Sequence, residues 1–484
     1  MASSKKQAER DNEVFKKLSV IRPEANIDYK TELGIAKLYK ELFSDHLRFN
    51  TTAKKWWVWD GVVWREDYGN SYASDQAGRL FEQLIIYGVK KIESEDIRKV
   101  FLDCVRKYGN YSKRKTLLED ASHIPDMIVI QADFDKCINL FNCLDCTLDL
   151  DTMESHEHTA GDMLSKVSGC NYNPAANSAK WDKFIDEIMQ GDSEKIRYFK
   201  KIKGYSITAE TFLETGFFLY GKTTRNGKTT AEEVFKAMMG DYAATVQPET
   251  LERARFRNGG SAPSPDKARL AGVRFVTIPE PPQGMILDVA FYKQITGGSK
   301  VNARFLNADN FEFIPQFKLY FDCNHLPLIT DNTFFTSDRS RVIPFERHFE
   351  PQEQNKRLKA ELQKPEVLSS VLNWALDGLK DLRENGEQPP DCIIKATDDF
   401  AKQSDKIIRF VNECLQPSSK NSNGNEVYNV YRTWCKENGY AIDGKQAFNE
   451  SMREHGYMRS GTVDRRTDRN AIIGYEILSD VQNV

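Results

Sequence analysis

A glycine-rich stretch between two apolar runs carries the clearest chemical signal in this chain. Residues 221–230 read GKTTRNGKTT; a strand-like run precedes them and a helical pattern over 231–239 follows. This order predicts a P-loop, in which glycines let backbone N–H groups surround phosphate oxygens at the N-terminus of a helix. Five residues separate Gly221 from Gly227, one more than in the common GxxxxGK[ST] pattern, and an ordinary glycine-rich turn is the alternative.

The residue types in this loop suit a nucleoside triphosphate and its magnesium ion. A lysine after the second glycine reaches the β- and γ-phosphates, and the hydroxyl that follows binds Mg²⁺. Lys228 and Thr229 hold those places, so we predict ATP and Mg²⁺ as cofactors. The predicted nucleotide-binding residues are Gly221, Asn226, Gly227, Lys228, Thr229 and Thr230.

Polar residues at the ends of later apolar runs complete a candidate hydrolytic site. Glu280 is predicted to activate water and to help bind Mg²⁺, although Pro279 stands where many such enzymes carry a second acid. Asn324 is predicted to contact the γ-phosphate. Arg339 or Arg341 is predicted to act on the ATP of a neighbouring subunit, as an arginine finger does. Taken singly, Asn324 could be an ordinary loop amide, and the two arginines could be solvated surface charges.

Composition restricts the class of protein. A length of 484 residues predicts two to four domains. No apolar run approaches the ~18 residues of a membrane span, residues 1–10 lack the apolar core of a signal peptide, and nine scattered cysteines suit a reducing compartment. We therefore expect a cytoplasmic protein. The net charge of −3 gives no global signal for nucleic acid, so DNA contact would depend on local basic patches.

Cysteine and histidine provide only a weak metal motif. Cys143 and Cys146 form a C-x-x-C pair, but no second pair of ligands follows at the spacing of zinc sites. His156 and His158 stand without a third ligand nearby. The surrounding pattern predicts two short strands about a turn at 145–146, and buried or turn cysteines are favoured over a metal site.

Five sequence blocks stand in order between residues 219 and 345. They read LYG with NGKT, then ARLAG, KQITGG, NHLP and RVIPF, and the stretch that contains them spans about a quarter of the chain. Together they resemble the superfamily 3 helicases, specifically the phage, plasmid and poxvirus primase-helicase group. Residues 142–150 resemble the turn of the domain that precedes the motor in this group, with Cys146 in place of a glycine.

This resemblance implies an AAA+-type parallel sheet, a hexameric ring and 3′ to 5′ movement on single-stranded DNA. Priming is not implied, because the region before residue 180 is too short for a full primase domain. Helicase without primase is closest to the replication initiators of phages and other mobile elements, which implies a bacterial host cytoplasm.

Local charge supplies a candidate DNA contact. From residue 252 to residue 304 there are nine cations and four acids, an excess of five in a chain that is acidic overall. Members of the group place a hairpin before the sensor strand in the pore of the ring. Here a turn at 297–300 and the strand after it supply Lys300 and Arg304 as candidate phosphate contacts. An ordinary solvated face is the alternative.

Two patterns nearer the N-terminus each have two interpretations. Residues 56–64, WWVWDGVVW, predict a hairpin with a tight Asp-Gly turn, whose aromatics suit core packing better than stacking on bases. Residues 194–203 predict a helix with apolar side chains on one face and cations on the other. That helix would be either part of an oligomerisation collar, as the resemblance implies, or an ordinary surface helix.

The C-terminal region predicts a winged helix. Three helical patterns precede two strands, at 407–415, 426–438, 445–455, near 457 and at 471–478. The predicted DNA contacts are a recognition helix over 445–453 and a basic wing with Arg465, Arg466 and Arg469. A winged helix that docks protein is the alternative.

The predicted fold is a multidomain α/β protein. Its parts are an α+β N-terminal domain (1–180), an AAA+-type P-loop core with helical collar and lid (181–384) and a winged helix (395–484). The predicted function is an ATP-dependent DNA helicase, a homo-hexamer that acts on single-stranded and forked DNA and binds origin duplex DNA. Two alternatives remain: a switch or clamp of the AAA+ type that hydrolyses ATP without unwinding, and a DNA-binding module with a degenerate ATPase.

Overall fold

The first region of the chain packs helices around a small mixed sheet. The computed structural model describes residues 2–253, 265–304, 310–331, 333–438 and 440–478. The first elements are α1 (Ala2–Ile21), α2 (Pro23–Asn26), α3 (Glu32–Phe43), β1 (Leu47–Asn50), β2 (Lys55–Trp59), β3 (Trp64–Glu66), α4 (Ser71–Lys91), α5 (Glu95–Val105), α6 (Tyr111–Ala121) and β4 (Ile128–Val129). The strand order is β3-β2-β1-β4, antiparallel except for the pair of β1 with β4.

The predicted tryptophan hairpin is confirmed by the pairing of β2 with β3. Trp56 and Trp64 are 2% and 1% exposed, which supports core packing over base stacking. The connecting loop covers residues 60–63 instead of two residues, because the Asp60 carboxylate accepts two backbone N–H groups and widens the turn.

A three-stranded antiparallel sheet follows, formed by β5 (Leu140–Asn142), β6 (Thr147–Asp149) and β7 (Ser155–His156). The predicted strands around a turn are confirmed, with the Cys143 N–H donating to the Cys146 carbonyl at 2.8 Å. Cys143 and Cys170 are buried in the same core as the central sheet, and in the described ranges no group of three or more His, Cys, Asp or Glu side chains is arranged to hold a metal ion. The predicted boundary at residue 180 stays a prediction.

The centre of the molecule is a five-stranded parallel sheet covered on both faces. Its region contains α7 (Ala179–Met189), α8 (Ser193–Ile207), β8 (Gly216–Tyr220), α9 (Lys228–Met239), β9 (Ala243–Thr245), α10 (Pro265–Ala268), β10 (Phe275–Pro279), α11 (Val289–Thr296), β11 (Val301–Arg304), β12 (Asn310–Phe313), β13 (Lys318–Cys323), α12 (Thr333–Thr336), β14 (Ser340–Pro344), α13 (Leu358–Leu362), α14 (Pro365–Asn385) and α15 (Asp391–Ser404). The strand order is β14-β8-β13-β10-β9. Successive residues of β8 enter opposite cores, Phe217 and Leu219 on one side and Phe218 on the other, so the strand is apolar throughout.

Helix α8 is buried, so the prediction of a surface helix over 194–203 is wrong. Lys195, Lys201 and Lys203, which the pattern assigned to a solvated face, are 3%, 2% and 1% exposed. The helix packs along α14 through Gly204 and Gly378, because a Cβ on either glycine would lie within 2.2 Å of the other helix's backbone. The proposed part of α8 in oligomerisation stays a prediction.

The C-terminal region contains the helices and the hairpin that its sequence predicts. Its elements are α16 (Lys406–Cys414), β15 (Leu415–Pro417), α17 (Gly424–Glu437), α18 (Lys445–Glu454), β16 (Met458–Val463), β17 (Arg466–Ile472) and β18 (Tyr475–Ile477). The strand predicted over 471–478 is divided, because Gly474 turns the chain and β18 pairs with β15 instead of continuing the hairpin. Across the described ranges no helix is long and apolar enough to pass through a membrane.

Candidate nucleotide-binding site

The predicted P-loop lies between the end of β8 and the start of α9, at the carboxyl-end edge of the parallel sheet. Both glycines of the loop are required, because a Cβ at either position would clash with a neighbouring side chain. Gly227 has a φ of 85°, and a Cβ there would lie 2.3 Å from a methyl carbon of Ile188; a Cβ on Gly221 would lie 2.2 Å from Asn226 Nδ2. The buried Asn226 amide donates to the Thr223 carbonyl at 2.7 Å, so its side chain shapes the loop from inside.

Lys228 and Thr229 meet the end of the neighbouring strand β13. The buried Lys228 Nζ donates to the side-chain oxygen of Asn324 and to the Cys323 carbonyl, both at 3.1 Å. Thr229 Oγ1 donates to Asp322 Oδ2 at 2.8 Å. The structure thus brings together the predicted lysine, threonine and asparagine, because β8 and β13 are parallel neighbours that end at one edge.

Asp322 is the residue at this edge that the sequence prediction missed. Besides its contact with Thr229, it has its second carboxylate oxygen 3.5 Å from Lys228 Nζ. The available signal was an acid two residues before Asn324, near the end of an apolar run. The signal gained its meaning only from the strand order, which makes β13 the immediate neighbour of the P-loop strand.

Glu280 follows β10 at the same edge. Its backbone N–H donates to the Asp322 carbonyl at 2.9 Å, and its side chain is exposed. Its φ of 38° is a left-handed conformation that costs a non-glycine residue about 1–2 kcal/mol. This turn takes the chain out of the strand direction directly at the sheet edge, where a carboxylate can face an attacking water.

A cleft of about 570 Å³ opens beside the loop. Its volume lies within the ~300–1,000 Å³ that is usual for small-molecule sites. Apolar and P-loop residues of its lining are Phe184, Gly227, Thr230, Phe349 and Leu358. The segment after β14 is tied to the loop, since the Phe349 N–H donates to the Arg225 carbonyl at 3.0 Å. Most of the lining is charged, and a nucleotide base could pack against its three large apolar side chains, Phe184, Phe349 and Leu358.

The oxygen donors at the edge fit Mg²⁺. This ion prefers one or two carboxylates together with substrate phosphates and water. The Thr229 hydroxyl and the Asp322 carboxylate are hard oxygen ligands in direct contact, and the Glu280 carboxylate follows the adjacent strand. The donor set therefore has the chemistry that the predicted ion requires.

A buried ion pair lies beneath the helix that follows the P-loop. Lys203 Nζ on α8 lies 2.5 Å from Glu232 Oε1 on α9, with the ammonium 3.8 Å from the ring centroid of Tyr320. Burial lowers the pKa of Lys203 to about 8 and raises the pKa of Glu232. The carboxylate and the aromatic faces replace water around the ammonium, which explains why this lysine of α8 is not at the surface.

The predicted arginines lie at the other end of the sheet. Arg341 is opposite Phe217, near the start of β8, whereas the P-loop follows the end of that strand. Arg341 is 7% exposed and contacts Glu387 at 2.9 and 3.0 Å and Asp338 at 2.5 and 2.8 Å. Burial alone would lower the pKa of Arg341, but the hydrogen bonds that it donates to these two carboxylates raise it.

Arg339 has fewer partners than Arg341. Its Nη2 lies 2.6 Å from Glu214 Oε2, and its Nη1 donates to Thr296 Oγ1 at 3.3 Å. Its buried Nε has no hydrogen-bond partner among the described residues. The structure does not bring either arginine to the P-loop of its own chain.

Two further cations at the amino ends of the strands are buried. Arg274, which the sequence analysis counted in the basic stretch, is 1% exposed and donates to the carbonyls of Ile207 and Leu140 at 2.8 and 2.7 Å. The assignment of Arg274 to a DNA-facing excess is therefore wrong. Lys318 donates to the Thr208 carbonyl, and burial lowers its pKa well below the usual range.

The predicted pore hairpin is formed by β11 and β12, which pair antiparallel. The turn at 297–300 joins α11 to β11, so it is not the hairpin's own turn as predicted; Gly297 ends the helix and Lys300 directly precedes the strand. Lys300 is two-thirds exposed and lies 3.3 Å from Glu312, and Arg304 ends β11. Arg255 and Arg257 of the basic stretch lie outside the described residues.

The three predicted wing arginines lie on or beside the β16–β17 hairpin. Arg465 occupies its two-residue turn at a φ of 66°, and Arg466 and Arg469 belong to β17. All three are exposed, and none forms an ion pair with a carboxylate of the described chain. The predicted recognition helix is α18, which buries Phe448 and Met452.

Comparisons with known proteins identify relatives of the regions that precede and follow the parallel sheet in the sequence. Residues 36–190 match the family described as D5 N terminal like, and residues 402–481 match the family described as Poxvirus D5 protein-like. The C-terminal region of NrS-1, in a solved structure, covers 90% of this chain and 98% of its own length at 10% identity, with a TM-score of 0.44.

Three viral proteins are similar over about half of the chain. "Putative helicase 022R" of Frog virus 3 is 31% identical over 233 residues, which are 45% of this chain and 24% of that protein. A putative helicase of Acanthamoeba polyphaga mimivirus is 26% identical over 304 residues, 58% of this chain and 31% of that protein. "Putative helicase 121R" of Invertebrate iridescent virus 3 is 25% identical over 332 residues, 59% and 34%.

The chain thus spans between 24% and 34% of the length of these relatives. Their names describe helicases, and the two matched families flank the P-loop sheet at its two ends in the sequence. Together, these matches support a relationship of the chain to the primase-helicase group of mobile-element replication proteins.

Proposed function

We propose that this chain is an ATP-dependent DNA helicase. The observation that carries the proposal is the meeting of Lys228, Thr229 and Asn324 at the carboxyl-end edge of a parallel sheet, with Glu280 at the same edge. Ligands of open α/β sheets bind at this edge. The adjoining cleft has the volume of a small-molecule site, and its largely charged lining includes Phe184, Phe349 and Leu358, against which a base could pack.

Each residue has a defined part in phosphoryl transfer to water. The Lys228 ammonium, oriented by the Asn324 oxygen and the Cys323 carbonyl, neutralises the β- and γ-phosphates. Glu280 orients the water and takes its proton as the new bond to phosphorus forms and the bond to ADP breaks. Asn324 contacts the γ-phosphate. Mg²⁺, when bound through Thr229, spreads the charge of the phosphate oxygens.

The motor is proposed to be an AAA+-type core that assembles as a hexameric ring. Support comes from the parallel sheet with the P-loop strand inside it and from the distance of both arginines from their own P-loop. Of the two, Arg339 is the better finger, because Arg341 pairs with two carboxylates and its side chain is 9% exposed, whereas Arg339 pairs with one, Glu214, and is 17% exposed.

Two surfaces are proposed to contact DNA. Lys300 and Arg304 on the β11–β12 hairpin would grip the phosphates of a single strand, and the wing arginines with α18 would bind origin duplex DNA as a winged helix. The resemblance to the primase-helicase group implies two further properties. These are movement from 3′ to 5′ and a part in starting the replication of a phage or other mobile element.

Unwinding of a forked duplex with and without ATP tests this function. A helicase releases the strand only with ATP and Mg²⁺, and Glu280→Gln should bind ATP without hydrolysing it. ATP hydrolysis without strand release would favour a switch or clamp. DNA binding without any ATP turnover would reject the enzyme assignment in favour of a DNA-binding module.

A further inference from the structure

We infer that Asp322 supplies the second carboxylate of the magnesium site, replacing across the sheet the acid that is absent at Pro279. The inference rests on the proposed ATP hydrolysis and adds a metal-binding residue to it. An acid is common at the position before the catalytic glutamate, and proline cannot bind a metal through its side chain.

The sheet register places the substitute directly beside the missing acid. In the parallel pair of β10 and β13, Pro279 lies opposite Asp322. The Glu280 N–H donates to the Asp322 carbonyl. The two acids therefore lie side by side at the ends of neighbouring strands instead of in succession along one strand. Asp322 is also one strand closer to the P-loop, opposite Leu219 of β8.

The side-chain contacts favour a metal-binding use over a purely structural ion pair. The shortest contact of Asp322 is the 2.8 Å hydrogen bond from the Thr229 hydroxyl, the group that binds Mg²⁺ in P-loops. Lys228 Nζ is farther away, at 3.5 Å, and its hydrogen bonds go to Cys323 and Asn324. The side chain is 13% exposed, so it is not fully enclosed by protein.

This arrangement matches the ligands that Mg²⁺ uses with nucleotides. The ion keeps several waters and takes one or two carboxylates besides the substrate phosphates. A carboxylate that accepts a hydrogen bond from the metal-binding hydroxyl can contact the ion or one of its waters. Loss of a residue that hydrogen-bonds a metal ligand typically lowers the metal affinity by about 10- to 100-fold.

The test compares nucleotide affinity with and without the metal. A fluorescent ATP analogue is titrated into the wild-type chain, Asp322→Asn and the control Glu233→Gln, an acid of α9 that pairs with Lys236 outside the proposed site, each with excess Mg²⁺ and with EDTA. We expect Asp322→Asn to lose about 10-fold or more of the Mg²⁺-dependent gain in affinity while its affinity in EDTA is unchanged. Glu233→Gln should keep that gain.

Three results have distinct meanings. A full Mg²⁺-dependent gain in Asp322→Asn overturns the inference. Equal losses in Mg²⁺ and in EDTA also overturn it, because they indicate that Asp322 only positions Lys228. A wild-type chain that binds no nucleotide rejects the proposed function itself. If Asp322→Asn does not fold, Asp322→Ser, which keeps an acceptor for Thr229, is judged by the same criterion.

Discussion

The two ends of the parallel sheet use buried charge in opposite ways. At the carboxyl ends, Lys228 and Asp322 lie at the P-loop, whose Gly227 and Thr230 line a cleft, and their partners are a hydroxyl, an amide and a carbonyl at one edge. At the amino ends, Arg341 is enclosed by two carboxylates, and Lys318 donates to a backbone carbonyl. One end thus keeps its charges next to an opening, while the other surrounds them with protein.

This difference separates function from stability within a single sheet. A buried charge whose partners all come from the fold cannot lose one without leaving the other unpaired. A charge beside an open cleft keeps binding capacity for a ligand. Substitutions at the amino ends should therefore change mainly the free energy of unfolding, and those at the carboxyl ends mainly ATP turnover.

The largest expected effect is at the carboxyl ends. Lys228→Ala should lower ATP turnover by roughly 1,000-fold, because the charge that neutralises the β- and γ-phosphates is removed. Lys222→Ala, an exposed lysine of the same loop, is the matched control and should keep its activity. Steady-state phosphate release measures both, and undiminished turnover in Lys228→Ala would remove the site assignment.

At the amino ends, Arg341→Ala should reduce the free energy of unfolding by about 3–5 kcal/mol. The reason is that Glu387, whose side chain is only 14% exposed, loses its charged partner and keeps the Tyr198 hydroxyl; Asp338, at 78% exposure, can be solvated. Urea unfolding followed by circular dichroism measures the change. Arg339→Ala should reduce the free energy of unfolding by less, because Arg339 has fewer hydrogen-bond partners. Equal reductions for the two variants would contradict this difference between the two arginines.

A composite site predicts rescue in mixed assemblies. Arg339→Ala and Lys228→Ala subunits should each be inactive alone, whereas a mixture should regain part of the ATPase activity, since one contributes an intact P-loop and the other an intact arginine. ATPase activity of mixtures across a range of ratios is the measurement. Normal activity of a ring made only of Arg339→Ala subunits would exclude this residue as the finger.

Lys318 should make stability depend on pH. Its pKa in the folded chain is depressed below the ordinary 10.5, so between the two values the unfolded chain binds the extra proton and stability rises with pH, by at most about 1.4 kcal/mol per pH unit. Lys203, whose pKa is lowered to about 8, contributes a rise of the same sign, so Lys318→Met should reduce the rise, while Lys300→Met, at an exposed lysine, should keep it in full. Unfolding free energies measured from pH 7 to 10 decide the matter.

The smallest expected effects concern the two DNA surfaces. Lys300→Ala should impair unwinding but leave duplex origin binding nearly intact, since a phosphate grip reads no bases. Arg465→Ala or Arg469→Ala should weaken duplex binding and reduce the slope of log affinity against log salt by about 0.9 each. Titrations at several salt concentrations test both; unchanged slopes would favour a protein-docking winged helix.

A deletion of the C-terminal region tests the same comparison, provided that its boundary leaves the core of the parallel sheet intact. Removing residues 405–484 should spare ATPase activity on single strands and abolish any preference for the origin. The deletion starts after α15 because Phe400 is 2% exposed and packs 5.5 Å from Phe218 of the P-loop strand. Retained discrimination between the origin and a scrambled duplex would move recognition to another region.

The sequence was sufficient where local pattern and chemistry coincide. The P-loop, the strand ends at Glu280 and Asn324 and the helix-rich C-terminal region all follow from runs that are contiguous in the chain. Asp322 could not be assigned in this way, because its meaning depends on β13 lying between β8 and β10. Register across a sheet is a tertiary property and leaves no mark in the spacing of one strand.

The cations of α8 and the strand starts show the second limit of sequence reasoning. Helical periodicity assigned Lys203 to a solvated face, yet a glutamate 29 residues later and several aromatic rings enclose it. Arg274 was counted as surface charge because its backbone carbonyl partners carry no sequence signal at all. A charged residue type predicts exposure only when no distant partner compensates for its burial.

The glycine contact between α8 and α14 has a mechanical consequence for the two ends of the sheet. Helix α14 has 21 residues and is therefore about 30 Å long. It ends at Asn385, just before Glu387 and its ion pair with Arg341, while its apolar side chains share a core with α9, the helix that Lys228 begins. Because Gly204 and Gly378 let the two helix backbones approach closely, we expect α8 and α14 to move together as one unit.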